Sequence, residues 1–208
     1  MKKLLFLSII ILFVACKKDD PIVLDVPVAT AATDVTNQQF TANWNNVASA
    51  TEYQLDVSIS SAFTSVFTVG NLAGSTIITG LEANTEYFYR VRATVNGENP
   101  SPFSNVISVM SLPDAPVATD ATNITSSGFT ANWDAIADIS EYLLYVSEDN
   151  FPADPPNNLP DYNGIIVTGN SHEVMGLESG TIYYYVLRAK NGTNESEYSN
   201  SIFLTTLN

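Results

Sequence analysis

Phe40-Thr41-Ala42-Asn43-Trp44 recurs in this chain as Phe129-Thr130-Ala131-Asn132-Trp133. The second copy follows the first by 89 residues (133 − 44), which indicates a duplicated unit. In both copies Phe, Ala and Trp alternate with Thr and Asn, the period of two that is typical of a strand with one buried face. We therefore predict two domains in the 208 residues, each with a tryptophan in its core.

The neighbouring strands are also duplicated. Residues 53–59 alternate, which predicts a strand with the odd-numbered side chains up to Ile59 inside, and the pattern recurs from Tyr142, 89 positions after Tyr53 (142 − 53). A tyrosine-rich strand follows at Tyr87 and again at Tyr183, now offset by 96 (183 − 87). Seven residues have therefore been added to the second copy (96 − 89), and we place them in segment 148–164.

Several further positions match in register between the two copies. They are Trp44/Trp133, Tyr53/Tyr142, Leu81/Leu177, Thr85/Thr181, Tyr87/Tyr183, Ala93/Ala189 and Ser104/Ser199. We predict that the Trp, Tyr and Leu side chains of these pairs form the two cores. With no helical periodicity, and with a Leu-x-x-x-Thr-x-Tyr run in each copy, the chain resembles the fibronectin type III family.

This resemblance implies an all-β fold of two tandem seven-stranded, immunoglobulin-like sandwiches. The first would cover residues 27–112, and the second would lie in 113–208 after a short proline linker. Tyr87 and Tyr183 would be corner tyrosines whose hydroxyls bond to backbone just upstream.

The N-terminus resembles a bacterial lipoprotein signal over residues 1–15. Lys2 and Lys3 precede the apolar run LLFLSIIILFVA, which is too short to cross about 30 Å of hydrocarbon as a helix. The following Leu12-Phe13-Val14-Ala15-Cys16 resembles a lipobox, with Phe13 where Leu is commoner. The resemblance implies that Cys16, the single cysteine, carries diacylglycerol; a free thiol behind an ordinary signal is the alternative.

Four charged residues follow the cysteine directly, Lys17, Lys18, Asp19 and Asp20. They resemble the signal that sends lipoproteins to the outer face of the outer membrane in certain Gram-negative bacteria; a plain solvated tether is the alternative. We therefore expect residues 16–26 to be a lipidated tether that makes the membrane a partner, since each buried CH₂ of lipid contributes about 0.8 kcal/mol. The expected location is the outer membrane, facing outward.

The charge excludes nucleic acid as a partner. The formal net charge is −14, and four of the eight basic residues lie in the first eighteen positions. The remaining ones are Arg90, Arg92, Arg188 and Lys190. Binding to a phosphate backbone requires clustered Lys and Arg, which this chain lacks.

The sequence predicts no catalytic residues, no cofactor and no metal centre. His172 is the only histidine, and there is neither a Gly-rich phosphate loop nor a His/Cys ligand pair. We interpret His172 as a surface residue of a strand over 171–174. Calcium binding by Asp149, Asp154 and Asp161 is a minor alternative, because the Asp-x-Asp-x-Asp-Gly spacing is absent. With four prolines, segment 148–164 is first predicted to be an ordered polar loop.

The two copies differ on the outer face of the sheet that contains the tyrosine-rich strand. Domain one has Gln54, Asp56, Phe88, Arg90 and Arg92 there, and we expect the arginines to pair with Asp56 or Glu52. Domain two has Leu143, Tyr145, Tyr184, Val186 and Arg188. Either segment 148–164 covers this apolar face with Phe151, Leu159 or Tyr162, which we favour, or Leu143, Tyr145, Tyr184 and Val186 form a binding face.

The functional expectation is a lipid-anchored, non-catalytic binding or adhesion module at the cell surface that recognises a polypeptide or a glycan. A passive spacer in a surface assembly is the alternative. An accessory to a carbohydrate-active enzyme is a more remote one.

Overall fold

A computed structural model describes residues 23–96, 100–150 and 158–208. Regular structure in these ranges consists of fifteen β-strands, which confirms the all-β prediction. No helix in the described ranges is long and apolar enough to span a membrane. The predicted signal, Cys16 and the charged residues 17–20 lie outside the described residues, as do Phe151 and Asp154.

Domain one has seven strands in two antiparallel sheets. The strands are β1 Ala29–Thr33, β2 Gln39–Trp44, β3 Glu52–Ser58, β4 Phe67–Leu72, β5 Thr76–Thr79, β6 Glu86–Thr94 and β7 Ile107–Met110. One sheet has the order β1-β2-β5 and the other the order β4-β3-β6-β7. Side chains of both sheets contribute to a single core, as expected for a sandwich.

Domain two repeats this arrangement with one additional short strand. Its strands are β8 Ala118–Thr122, β9 Gly128–Trp133, β10 Glu141–Ser147, β11 Asn158–Thr168, β12 Ser171–Met175, β13 Ile182–Asn191, β14 Asn194–Glu195 and β15 Ile202–Thr205. The sheets have the orders β12-β9-β8 and β11-β10-β13-β14, with β15 also paired to β13.

The predicted loop at 148–164 is partly wrong, because its last seven residues belong to β11. Pro160 lies in this strand, and proline has no N–H to donate to a neighbouring strand. The strand tolerates it because β11 is at the edge of its sheet, where a donor on one side needs no partner.

Both copies of the pentapeptide are strands with one buried face. Phe40, Ala42 and Trp44 are buried, as are Phe129, Ala131 and Trp133, while the Thr and Asn between them are half-buried. The other core candidates Tyr53, Tyr142, Tyr87, Tyr183 and Leu177 are also buried, and Leu81 is half-buried against the first core. Ile59 is 68% exposed, contrary to prediction, because β3 ends at Ser58.

The corner tyrosines bond to backbone as the resemblance implied. The Tyr87 hydroxyl accepts a hydrogen bond from Glu82 N at 2.9 Å, and the Tyr183 hydroxyl accepts one from Glu178 N at 3.1 Å. Each bond ties the turn before the strand to the strand itself, which satisfies a buried phenol and fixes the turn.

A further tyrosine in each domain connects the two sheets. The Tyr89 hydroxyl donates to the Thr30 carbonyl of β1, and the Tyr185 hydroxyl donates to the Thr119 carbonyl of β8. Burial raises the pKa of both hydroxyls, so they remain protonated donors. The first strand of each domain is thereby held across the core as well as along its own sheet.

Candidate functional site

The face predicted as a binding surface in domain two is mostly closed. Leu143 is 6% exposed and Val186 is 1% exposed, so neither side chain is accessible to a ligand. Tyr145 and Tyr184 are half-buried. The prediction that all four form an open binding face is therefore wrong. The favoured prediction, cover by segment 148–164, is wrong for Leu159 and Tyr162, which face the core, and Phe151 lies outside the described residues.

Side chains of domain two itself occupy part of this face. The ring of Tyr145 packs edge-on against Tyr198, with centroids 5.3 Å apart, and the Arg188 guanidinium lies 5.2 Å from the Tyr198 ring. Arg188 also forms a 2.6 Å ion pair with Glu195. Burial is the main cause that raises the pKa of the Tyr145 hydroxyl. On this face, Tyr145 and Arg188 are therefore in contact with other side chains of domain two.

Two of the residues predicted to cover the outer face, Leu159 and Tyr162, point towards the core instead. Leu159 and Tyr162 pack against the core of domain two, whereas Leu143 is outside that core cluster. The reason is a bulge in β11: Leu144 is opposite Ile165 and Tyr145 is opposite Asn163, which leaves Gly164 as an extra residue at φ +76°. This extra residue turns Tyr162 inward, and a second register shift, between the partners of Tyr145 and Ser147, places Leu159 inward as well.

Tyr162 consequently closes the edge of the domain-two sandwich. Its hydroxyl accepts a hydrogen bond from Met175 N at 2.8 Å and donates one to Met175 O at 3.2 Å. Met175 belongs to β12 in the opposite sheet, so the phenol bridges the two sheets. The Tyr162 ring also approaches His172 edge-on at 6.5 Å. Partial burial lowers the pKa of His172, and Glu173 opposes this shift.

The same edge of domain one is open. A cleft of about 450 Å³ lies between the ends of β3, β4 and β5. Its walls are mostly apolar and include Val57, Val66, Phe67 and Ile78, with Thr79 at the rim. Volumes of this order and a mostly apolar lining are typical of sites that bind small molecules or side chains.

Phe67 stands in domain one where Tyr162 stands in domain two. Phe67 precedes Thr68, which is opposite Asp56, and Tyr162 precedes Asn163, which is opposite Tyr145, the counterpart of Asp56 89 residues later. Phe67 is 65% exposed, whereas Tyr162 is half-buried and bonded across the edge. Phenylalanine has no hydroxyl for such a bond.

The outer face of domain one is charged but internally paired. Arg90 forms a 3.0 Å ion pair with Asp56, and its guanidinium lies 4.2 Å from the Phe63 ring and 3.9 Å from the Phe103 ring. The predicted Arg90 pairing is confirmed. Arg92 instead donates to Gln54 Oε1 at 2.7 Å rather than to Glu52. Both arginines are therefore engaged in contacts within domain one.

Of the calcium candidates, Asp149 and Asp161 are exposed, and Asp154 lies outside the described residues. Within the described ranges there is no cluster of three side chains that could hold a metal ion. His172 lies in β12, as predicted for a strand histidine, and is half-buried.

Sequence reasoning missed the domain-one cleft. The available signal was the contrast between Tyr162, followed two residues later by Gly164, and Phe67 in the first copy. The contrast is visible only when β4 and β11 are aligned by their strand partners. The prolines of segment 148–164 predict a loop, so the start of β11 was not recognised as a strand.

Comparison with known proteins agrees with the duplicated sandwich. The model of the fibronectin type III domain matches residues 25–110 and 114–205. Chitinase A1 of Niallia circulans is 27% identical over 196 residues, which is 87% of this chain and 26% of that protein, so the chain spans about a quarter of its length. A two-domain fibronectin type III segment of chicken tenascin has a TM-score of 0.51 at 22% identity, covering 86% of this chain and 99% of the segment. The chain belongs to the fibronectin type III domain family.

Proposed function

We propose that this protein is a lipid-anchored, non-catalytic binding module of the outer-membrane surface and that the cleft of domain one is its binding site. One observation carries the proposal: of two copies of one fold, domain two fills the edge between its sheets with Tyr162, and domain one has a cleft of about 450 Å³ there.

The composition of the cleft supports a binding role over simple imperfect packing. Phe67 and Val66, which line it, are 65% and 44% exposed, and Ile59 beside them is 68% exposed. Exposed apolar side chains gathered around a concavity gain free energy when a partner covers them, at about 25 cal/mol per Å² of apolar area.

The anchor rests on sequence alone. Cys16 follows a lipobox-like stretch, and Lys17 to Asp20 follow it as an outward-export signal would. In a Gram-negative host, we expect labelled palmitate to attach to the wild-type precursor and not to Cys16→Ser. Equal labelling of the two proteins would contradict lipid attachment at this cysteine.

Binding is tested with arrays of extracellular proteins and glycans probed with residues 21–208. We expect at least one reproducible hit that Phe67→Ser abolishes. Phe203→Ser is the matched control, because Phe203 is 71% exposed in domain two and away from the cleft. Silent arrays, or hits that Phe67→Ser leaves intact, would overturn the cleft as the binding site and favour a spacer.

An accessory role beside a carbohydrate-active enzyme is the second candidate, favoured by the partial similarity to Chitinase A1. Its test is retention of residues 21–208 on insoluble polysaccharides, chitin among them. Retention that survives Phe67→Ser would favour this role, and release of the protein in the wash would remove it.

A further inference from the structure

We infer that the domain-one cleft accepts the side chain of a tyrosine from an extended partner polypeptide, with the ring between the sheets and the hydroxyl on the main chain of Thr79. This inference rests on the proposed function, since it names the occupant of the same cleft.

Domain two displays the chemistry of such a site. The Tyr162 hydroxyl accepts from the amide and donates to the carbonyl of one residue, Met175. Both groups belong to β12, the outer strand of its sheet, and they point away from β9. A phenol satisfies this amide and carbonyl together because its hydroxyl is both donor and acceptor.

The same pair of main-chain groups is present in domain one. Met175 is opposite Gly128 in the sheet, and Thr79 is opposite Gln39, which is the counterpart of Gly128 89 residues earlier. The next residue inward is buried in both domains, Val174 in one and Ile78 in the other. Thr79 N and O therefore face outward at the same register.

No phenol of domain one occupies this position. Thr79 is exposed at the rim of the cleft, and among the described residues no side chain hydrogen-bonds to its main chain. Phe67 holds the position of Tyr162 without a hydroxyl. The cleft thus has the apolar walls and the two polar groups that Tyr162 uses, and it has the room for an incoming ring.

A polypeptide is favoured over a free phenol by the strand that borders the cleft. β5 is the outer strand of the β1-β2-β5 sheet, and Ile77, two residues before Thr79, is 60% exposed. Alternate residues of an outer strand present unpaired N–H and C=O groups, which an extended peptide can pair with while its side chain enters a pocket.

The test uses isotope-labelled residues 21–208 titrated with two capped tripeptides, Thr-Tyr-Thr and Thr-Phe-Thr, and followed by amide chemical shifts. We expect Thr-Tyr-Thr to shift the amides of Thr79, Val57 and Phe67. It should bind roughly fivefold more tightly than Thr-Phe-Thr, the effect of one net hydrogen bond.

Two variants of the full segment sharpen the result. Thr79→Pro removes an outward amide that makes no bond within the sheet and keeps the carbonyl, so it should reduce the preference for Thr-Tyr-Thr over Thr-Phe-Thr without abolishing it. Phe67→Tyr supplies the phenol within the chain and should abolish binding of both peptides. The second variant keeps the test decisive if the proline substitution disturbs β5.

Equal binding of the two peptides in the cleft would overturn tyrosine recognition and leave the proposed binding function standing. The absence of shifts at the cleft, or shifts confined to domain two, would overturn the inference. Array hits lost in Phe67→Ser would then still support a binding cleft with another occupant, so the two failures are distinguishable.

Discussion

The two domains share a core and differ at one edge. In domain two, Tyr162 crosses from one sheet to the other and bonds to both main-chain groups of Met175. In domain one the equivalent Phe67 lies 65% exposed beside an open cleft. The two edges differ by a hydroxyl group and not by register, because β4 and β11 each contain one extra residue: opposite Tyr53 to Leu55 in domain one and opposite Leu144 and Tyr145 in domain two. After duplication, the edge of a sandwich can therefore change in shape while the core that folds it stays the same.

The twin tryptophans show the same divergence in the interior. Trp133 is 2% exposed, and its Nε1 donates to Gly169 O at 3.0 Å. Trp44 is 9% exposed, and no described residue accepts a hydrogen bond from its buried Nε1. A buried donor without a partner costs about 1–3 kcal/mol, so Trp44 contributes less to the stability of domain one than Trp133 contributes to that of domain two.

The largest expected effect compares the two indoles. Trp133→Ala should lower the free energy of unfolding of domain two by about 3–5 kcal/mol, and Trp44→Ala should cost domain one about 1 kcal/mol less, since no hydrogen bond is lost. Urea unfolding measures both, because the remaining tryptophan reports on the unmutated domain while far-ultraviolet circular dichroism follows the whole chain. A larger loss for Trp44→Ala would contradict the comparison.

Opening domain two comes next. Tyr162→Ala should destabilise that domain by about 2–3 kcal/mol, and Tyr162→Phe by about 1 kcal/mol, because the first removes packing and the second only the hydroxyl bonds. Urea midpoints give both values. The Ala variant should also gain a cleft that binds Thr-Tyr-Thr. If the variant unfolds no more easily than wild type, Tyr162 does not close the edge.

The bulge can be tested at two glycines with similar backbone. Gly164 has φ +76° and a Cβ there would lie 2.9 Å from the Tyr145 hydroxyl, whereas Gly169 has φ +79° and open space around it. Gly164→Ala should therefore cost about 1–2 kcal/mol and Gly169→Ala about 1 kcal/mol. Thermal unfolding separates them. Identical losses would remove the contact with Tyr145 as a cause.

A smaller gain is expected in domain one. Phe67→Tyr should raise its unfolding free energy by about 0.5–1 kcal/mol, because the new hydroxyl can reach Thr79 N and O as Tyr162 reaches Met175. Phe203→Tyr is the control, since Phe203 is exposed and does not line the domain-one cleft. A stability gain of similar size in the control would point to a general surface effect.

The smallest effect concerns pH. Burial lowers the pKa of His172 in the folded state, so the unfolded chain binds a proton at higher pH than the folded chain. Domain two should lose stability as pH falls through the ordinary histidine pKa of 6.5 and level off below the lowered folded value. The difference between wild type and His172→Gln across this window measures the effect. A wild-type domain that gains relative stability on acidification would contradict it.

Much of the fold could be predicted because alternation and duplication are local signals. The buried faces of the pentapeptide strands follow from side chains that recur at every second position, and the resemblance to the fibronectin type III family implied the sandwiches and the corner tyrosines. Ile59 was misplaced because alternation does not show where a strand ends, and exposure of the last residue depends on the loop that follows.

The site was harder to predict because it depends on register. Nothing local distinguishes a Tyr162 that faces the core from one that covers the outer face; Gly164 decides it by adding one residue opposite Leu144 and Tyr145. The cleft is defined by a side chain that domain one lacks, and a missing hydroxyl becomes visible only when the two copies are aligned through their partners in the sheet.

The bond from Tyr89 to the Thr30 carbonyl has a mechanical consequence for an anchored protein. If Cys16 carries the proposed lipid anchor, a force on the protein would enter from its N-terminal side and reach β1 before the other strands. Separating β1 from the domain requires breaking its pairing with β2 and also the hydrogen bond that the Tyr89 hydroxyl donates from the opposite sheet. The Tyr89 bond therefore strengthens the attachment of β1, the strand on which such a force would act first.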